Sequence, residues 1–393
     1  MRLLNVIRSV DPVHGGPAEG LRQSVMASRL LGHSEEVVTL DAPGAPCVRD
    51  FPVTTFALGP ASGNFGFAAA LVPWLKVNAG GYDAVVVHGL WQYQTLAVWR
   101  ALRGGPVPYF VYPHGMLDPW FRQAYPLKHL KKAIYWSLIE QRVLRDAGAV
   151  LFTASEEARL ALHTFTPCEI NPAVVGYGVA LADAARQVSA DVFFQAWPET
   201  QGRRIVLFLG RLHPKKGGDL LIEAFAKVLE SQPLLHLVMA GPDDGAGTRA
   251  ALQSQAVRLG IAERITFTGM LSGDLKWSVL QAAEVFVLPS HQENFGIAVV
   301  EALAMGVPVL ISDKVNIWRE IVADDAGMAE PDTVDGTTRL LRRWLALDTQ
   351  ARLQMKLQAA GCYQRHFHMS AAAQRLLDTI APHLCGGNAP AAT

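Results

Sequence analysis

Two stretches in the second half of this 393-residue chain carry side chains suited to a phosphorylated, hydroxyl-rich ligand. The first, Phe208-Leu209-Gly210-Arg211-Leu212-His213-Pro214-Lys215-Lys216-Gly217-Gly218-Asp219, leaves an apolar run and enters an amphipathic one. Glycines at such a turn let backbone N–H groups approach a phosphate, and a helix N-terminus adds a favourable dipole. Arg211 and Lys216 would set two cations around one diphosphate. The spacing fits neither G-x-x-x-x-G-K-[ST] nor G-x-G-x-x-G, and an exposed basic loop accounts for it equally well. The second stretch, His291-Gln292-Glu293-Asn294-Phe295-Gly296-Ile297-Ala298-Val299-Val300-Glu301, places two carboxylates after the apolar run that ends near Pro289-Ser290. Paired carboxylates suit vicinal hydroxyls, because each can accept two hydrogen bonds. Two solvated helix acids are the plainer alternative. Against it, Glu301 sits in the almost wholly apolar run Ile297–Leu303, where a carboxylate needs a partner or a ligand.

These loops need a scaffold, and the hydrophobic pattern supplies one. Leu3–Ile7, Val37–Leu40, Ala84–Val87, Tyr109–Tyr112 and Ala149–Phe152 read as buried strands, alternating with helical spacing over Ala18–Leu31, Thr95–Leu102, Leu127–Leu144 and Ser155–Leu162. Ser155 followed by Glu156 and Glu157 reads as a hydroxyl-capped helix start. A second series has strands at Ile205–Leu209, Leu235–Ala240, Ile265–Phe267, Val285–Leu288 and Val307–Ile311. Its helices are Asp219–Glu230, Arg249–Leu259, Asp274–Ala283 and Ile297–Ala304. Such alternation predicts parallel sheets with helices on both faces. The expected fold class is α/β, with two doubly wound domains, residues 1–175 and 182–365, joined through an interrupted stretch at Asn171–Ala185. After an irregular stretch at Gly361–Met369, a helix at 370–385 is expected to pack back on the first domain, and the small polar tail Gly386–Thr393 to fray.

Composition narrows the function classes. Half the residues are apolar and 18% are charged, which excludes disorder as the main state. Lys plus Arg equals Asp plus Glu at 35 each, so no whole-chain field attracts nucleic acid. The four cysteines, Cys47, Cys168, Cys362 and Cys385, form no C-x-x-C pair and fit a reducing compartment. No window supplies the roughly 20 apolar residues of a membrane span. The expected location is cytoplasmic, peripheral to the inner face of the cell membrane if a membrane is met at all.

The spacing Glu-x7-Glu after a strand, preceded by G-R-x-x-x-x-K-G, resembles the retaining nucleotide-sugar glycosyltransferases of family 4, which have the GT-B fold of two facing Rossmann-like domains and a C-terminal crossover helix. Gly15-Gly16 after the first strand and His114-Gly115 after the fourth strengthen the resemblance, which covers both halves. It implies that Arg211 and Lys216 bind the donor diphosphate, and that Glu293 holds donor-sugar hydroxyls with Asn294, Phe295, Gly296 and Ile297 nearby. It places Glu301 at the ribose, Gly15 and Gly16 at the phosphates, and His114 beside the donor sugar near the reacting centre. Many relatives have Pro-Asn-Gly-Val where this chain has Gly176-Tyr177-Gly178-Val179, so any contact of that asparagine is in doubt. No convincing Asp-x-Asp motif is present, and Asp243-Asp244 reads as a turn. The expectation is therefore metal-independent catalysis with no cofactor, with the departing phosphate taking the acceptor's proton during same-face attack. Glu293 as a covalent nucleophile, the retaining-glycosidase solution, is disfavoured by its implied place at the hydroxyls.

The acceptor belongs to the first half, where His88-Gly89-Leu90-Trp91, Tyr112-Pro113-His114-Gly115-Met116-Leu117-Asp118-Pro119-Trp120 and Gly15-Gly16-Pro17 all follow predicted strands. Trp91 and Trp120 suit either a sugar ring or ordinary packing. Residues 120–136 mix aromatics with Arg122, Lys128, Lys131 and Lys132. That mixture fits an anionic membrane surface, and so a lipid-linked glycan acceptor, or an amphipathic helix docked on its own sheet. A nucleotide-sugar epimerase of the same fold and a non-catalytic nucleotide-sugar-binding scaffold are the competing readings.

Overall fold

The computed structural model describes residues 1–14, 16–124, 126–181, 185 and 187–384. The chain forms two compact units, Met1–Gly178 with the described residues from His368 onward, and Val179–Phe367.

The first unit holds seven strands, β1 (Arg2–Ile7), β2 (Ser34–Thr39), β3 (Thr55–Ala57), β4 (Ala84–His88), β5 (Tyr109–Tyr112), β6 (Val150–Phe152) and β7 (Pro172–Val174), in the order β3-β2-β1-β4-β5-β6-β7. All pairs are parallel. β4 is buried along its whole length, as a strand covered on both faces must be. Its alternation divides the core: Val85 and Val87 join Leu4, Val6, Val111 and Phe152 on one face, and Ala84 and Val86 join Leu3, Phe110 and Leu151 on the other. The helix Met369–Leu384 covers that second face with Leu376, Leu377 and Ile380.

The second unit holds β8 (Arg204–Leu209), β9 (Leu235–Ala240), β10 (Ile265–Gly269), β11 (Ala283–Leu288), β12 (Val309–Ser312) and β13 (Gly327–Glu330), again parallel, in the order β10-β9-β8-β11-β12-β13. In each sheet the chain order reverses beside one strand, β1 or β8. The loops leaving the carboxyl ends of β1 and β4, and of β8 and β11, flank a crevice where doubly wound sheets take ligands.

Several local expectations need correction. Three residues of the predicted interrupted stretch form the edge strand β7 instead, paired with β6; residues 182–184 of that stretch lie outside the described residues, as do 186, 385 and the tail 386–393. The predicted helix Leu127–Leu144 is a Pro126–Tyr135 helix, a wider π-type turn at Trp136–Glu140 and a short helix Gln141–Arg145. Gly361–Met369 is not irregular: a helix runs from Thr349 to Cys362 and a π-type turn continues to Phe367. Ser155 opens its helix without capping it. The acid two residues on does the work, because Glu157 accepts the backbone N–H of Thr153 at 2.7 Å and that of Gly115 at 2.7 Å.

Candidate active site

In the second unit the loops after β8 and β11 are sewn together by backbone. The carbonyl of Lys215 accepts the N–H of His291 at 2.8 Å and the hydroxyl of Ser290 at 2.9 Å. This approach requires Gly217. Its φ of 69° is left-handed, and a Cβ there would stand 2.2 Å from the carbonyl oxygen of Pro289. Gly217 then starts the helix Gly218–Leu229, whose free N–H groups face the loop.

The approach brings Lys216 onto Glu293 as an ion pair, with both side chains about one-fifth exposed. Burial, followed by the neighbouring cations Lys215 and Arg211, pulls the Lys216 ammonium down to about 8, against the attraction of Glu293. Arg211 is exposed at the end of β8. Glu293 is held by its own backbone, donating its N–H to Lys314 at 2.9 Å and accepting that of Asn316 at 3.0 Å. Asn294 accepts from the Asn316 amide at 3.4 Å, while the Phe295 ring is buried edge-on to Phe367. Phe295 therefore offers a ligand only its backbone. Gly296, at a φ of 77°, turns the chain into the helix Ile297–Ala304. On that helix Glu301 is buried and has the partner its surroundings demand: Lys276, on the helix Gly273–Ala282, lies 2.5 Å from it. Lys276 was not foreseen, because nothing in a sequence pairs a lysine with a carboxylate 25 residues away on another helix.

Asp243 and Asp244 are occupied as a turn. Asp243 accepts the N–H of Asp244 at 3.0 Å and of Arg249 at 3.2 Å, and Asp244 accepts from Ala246 at 2.9 Å and the Thr248 hydroxyl at 2.7 Å.

In the first unit, Gly15 lies outside the described residues. Gly16 opens the helix Gly16–Leu30, and its carbonyl accepts the Tyr177 hydroxyl at 2.9 Å. Tyr177 fills a notch that only glycine permits, since a Cβ on Gly20 would fall 1.2 Å from its hydroxyl oxygen. His114 follows β5 with a left-handed φ of 51°, stacked on Tyr112 with ring centroids 4.8 Å apart. Desolvation holds its imidazole neutral, well below the usual histidine range. His88, buried at the end of β4, contacts His114 through ring nitrogens 2.9 Å apart. Asp118 is buried and accepts the N–H of Trp120 at 2.8 Å.

Trp91 packs against Trp136 and Phe165, its N–H bound to the buried Glu140 at 3.1 Å, so packing accounts for its ring. The docked-helix reading of residues 120–136 holds for one face only: His129 and Trp136 stack on Phe165, Tyr135 meets Trp91, and Ala133 packs on the core of the first unit. Leu127, Leu130, Ile134 and Leu138 are 79%, 62%, 59% and 60% exposed, and no residue of Pro126–Tyr135 is buried. Lys132 instead turns inward over the Trp91 and Phe121 rings, at 4.8 and 5.4 Å from their centroids.

Residues 15–178 match the family described as Glycosyl transferase 4-like domain, and residues 189–361 match Glycosyl transferases group 1. The chain belongs to the family-4-type glycosyltransferases. Its fold is GT-B. The glycosyltransferase is 35% identical over 307 residues to a D-inositol 3-phosphate glycosyltransferase of Mycolicibacterium gilvum, covering 77% of this chain and 59% of the relative. It is 32% identical over 315 residues to one of Nocardia farcinica, covering 77% and 60%. The chain thus spans under two-thirds of the length of these curated relatives. Among solved structures it resembles Anabaena HepE in complex with UDP and glucose, with a TM-score of 0.73, 19% identity and coverage of 97% of this chain and 100% of that one. It also resembles the sucrose-phosphate synthase of Thermosynechococcus elongatus, with a TM-score of 0.74, 19% identity and coverage of 97% and 99%. Among the described residues of the glycosyltransferase, no helix is long and apolar enough to cross a membrane.

Proposed function

We propose that this glycosyltransferase moves a sugar from a nucleoside-diphosphate donor to a glycan acceptor, with retention of configuration and without a metal ion. The observation that carries the reading is the junction of the β8 and β11 loops, where Arg211, Lys216 and a helix N-terminus gather beside Glu293. Breaking the sugar–phosphate bond develops positive charge on the anomeric carbon and negative charge on the departing diphosphate. Arg211, Lys216 and the helix dipole stabilise the second charge. Glu293 holds donor-sugar hydroxyls, Glu301 the ribose, and the backbone of Asn294 to Ile297 lies along the nucleotide. The acceptor oxygen bonds to the anomeric carbon as the carbon–phosphate oxygen bond breaks, and its proton passes to the leaving phosphate. Protein cations take the place a metal fills elsewhere, and Asp243 and Asp244, already engaged in their turn, fit that assignment. In the first unit, Gly15 and Gly16 belong to the phosphate loop and His114 serves the sugar.

The outward stripe Leu127, Leu130, Ile134 and Leu138, beside Lys128 and Lys131, supports docking on an anionic membrane surface and a lipid-linked glycan acceptor. The names of the relatives favour a second acceptor class, a phosphorylated polyol. A cavity of about 50 Å³ whose walls include Lys128, His129, Lys132 and Thr164, with Asp118 among them, supplies cations and a hydroxyl for its phosphate.

The test is thermal unfolding with UDP-, GDP- and ADP-sugars, followed by turnover in chelator and assignment of the product anomer by NMR. A donor at 100 times its dissociation constant adds about 2.7 kcal/mol of stability. No stabilisation by any donor, loss of turnover in chelator, or an inverted product would each contradict its part of the proposal.

A further inference from the structure

A buried chain of hydrogen bonds runs from β2 to His114. The amide nitrogen of Asn5, on β1, donates to Glu35 Oε2 at 2.6 Å. Asn5 Oδ1 meets His88 Nε2 at 3.1 Å, and His88 Nδ1 meets His114 Nε2 at 2.9 Å. Asn5, Glu35 and His88 are 2%, 6% and 7% exposed, so water does not compete for these groups.

Each link fixes the next. The NH2 of Asn5 faces Glu35 Oε2, which accepts from it. The Asn5 carbonyl then faces His88, and a carbonyl only accepts, so His88 Nε2 carries the hydrogen. Burial keeps the His88 imidazole neutral, pulling it down to about 3. Its Nδ1 is therefore a lone pair, and the hydrogen between the two rings belongs to His114 Nε2. His114 is neutral as well. Its remaining nitrogen, Nδ1, has no hydrogen-bond partner among the described residues.

We propose that Glu35 and Asn5 are positioning residues that, through His88, fix His114 as a hydrogen-bond acceptor at Nδ1 for a sugar hydroxyl. The inference rests on the assignment of His114 to the sugar made above, and it adds the direction of that hydrogen bond and the residues that set it. Loop geometry supports it. The bond from the Gly115 N–H to Glu157 holds the backbone beside His114, whose φ is left-handed, and the ring stacks on Tyr112 with centroids 4.8 Å apart. The specificity consequence is chemical: a sugar with a hydroxyl at that point can donate, and a deoxy sugar leaves a buried acceptor unpaired.

The experiment uses the full chain labelled with 15N-histidine, in which two-bond nitrogen–hydrogen couplings report the tautomer of each ring. In the unmodified protein His88 and His114 should both be neutral and protonated at Nε2. Asn5→Leu keeps the volume but removes the acceptor. It should release the lock, giving mixed tautomers at His88 and His114 and lowering kcat/KM by about tenfold, the effect of one well-placed buried hydrogen bond. Asn5→Asp still accepts from His88 and should keep the Nε2 tautomers and most of the activity. If the leucine variant fails to fold, the tautomers of the unmodified protein still decide the relay. His114 protonated at Nδ1 in the unmodified protein, or tautomers unmoved in a folded Asn5→Leu, overturns the relay. Tautomers that switch while kcat/KM stays constant overturn the link to the sugar. Failure of every donor in turnover would instead strike the functional reading, and the tautomer measurement, made on free protein, would still decide the relay.

Discussion

Nucleotide binding should weaken as the pH rises through about 8, because Lys216 loses its charge there. Its side chain is only one-fifth exposed, and Lys215 and Arg211 crowd it, so the ammonium sits near 8 rather than at the usual 10.5. The charged fraction is about 90% at pH 7 and about 10% at pH 9. If only the ammonium form grips a diphosphate, the apparent affinity falls about tenfold between those two values. The ligand does not supply the change, since a terminal phosphate loses its second proton near pH 6. Stability moves the other way. Between about pH 8 and 10.5 the unfolded chain binds this proton more tightly than the folded one, so raising the pH across that window favours the folded state through this group. A weaker complex therefore cannot be blamed on this lysine unfolding the site. The assay is calorimetric titration of UDP, with GDP and ADP in parallel, at constant ionic strength and at pH 7, 8 and 9. Lys216→Arg, always charged, should flatten the profile, and Lys216→Met should be weak at every pH. An affinity unchanged at pH 9, or a decline that survives in Lys216→Arg, refutes the reasoning.

Two further outcomes follow from the same structure. Gly217→Ala combines a left-handed φ with a Cβ 2.2 Å from the Pro289 carbonyl, so urea unfolding should show a loss of at least about 2 kcal/mol, together with loss of UDP binding. The double variant Leu130→Asp, Ile134→Asp should stop flotation on anionic vesicles while leaving UDP affinity intact, because both side chains face solvent; flotation equal to that of the unmodified chain would remove the membrane assignment.

Much of the scaffold is legible in the residue order because buried parallel strands need continuous apolar runs and helices need a 3.6-residue repeat. The runs around Ala84–His88 and Arg204–Leu209 could hardly be anything else. The strands that escaped notice, β3, β7 and β13, are three or four residues long at sheet edges, too short to hold a pattern. The basic aromatic helix was legible, but what its apolar stripe meets was not. Its periodicity is strong, but a period says that one face is apolar and not whether that face is covered, and here Leu127, Leu130, Ile134 and Leu138 face solvent.

The site divides along the same line. Sequence alone determined which side chains are available and roughly where: Arg211 and Lys216 at one strand end, Glu293 and Glu301 at another, and His114 in the first half. Local chemistry sets such placements, since a glycine-rich turn between strand and helix is written in a dozen residues. Tertiary structure decided what each group meets. It set Lys216 against Glu293 across 77 residues, gave Glu301 its Lys276, and brought Asn5 on β1, His88 on β4 and His114 after β5 into one hydrogen-bonded line. These partners determine charge state and tautomer, and no one-dimensional spacing encodes them, because the contacts exist only once the parallel strands have brought their carboxyl ends together.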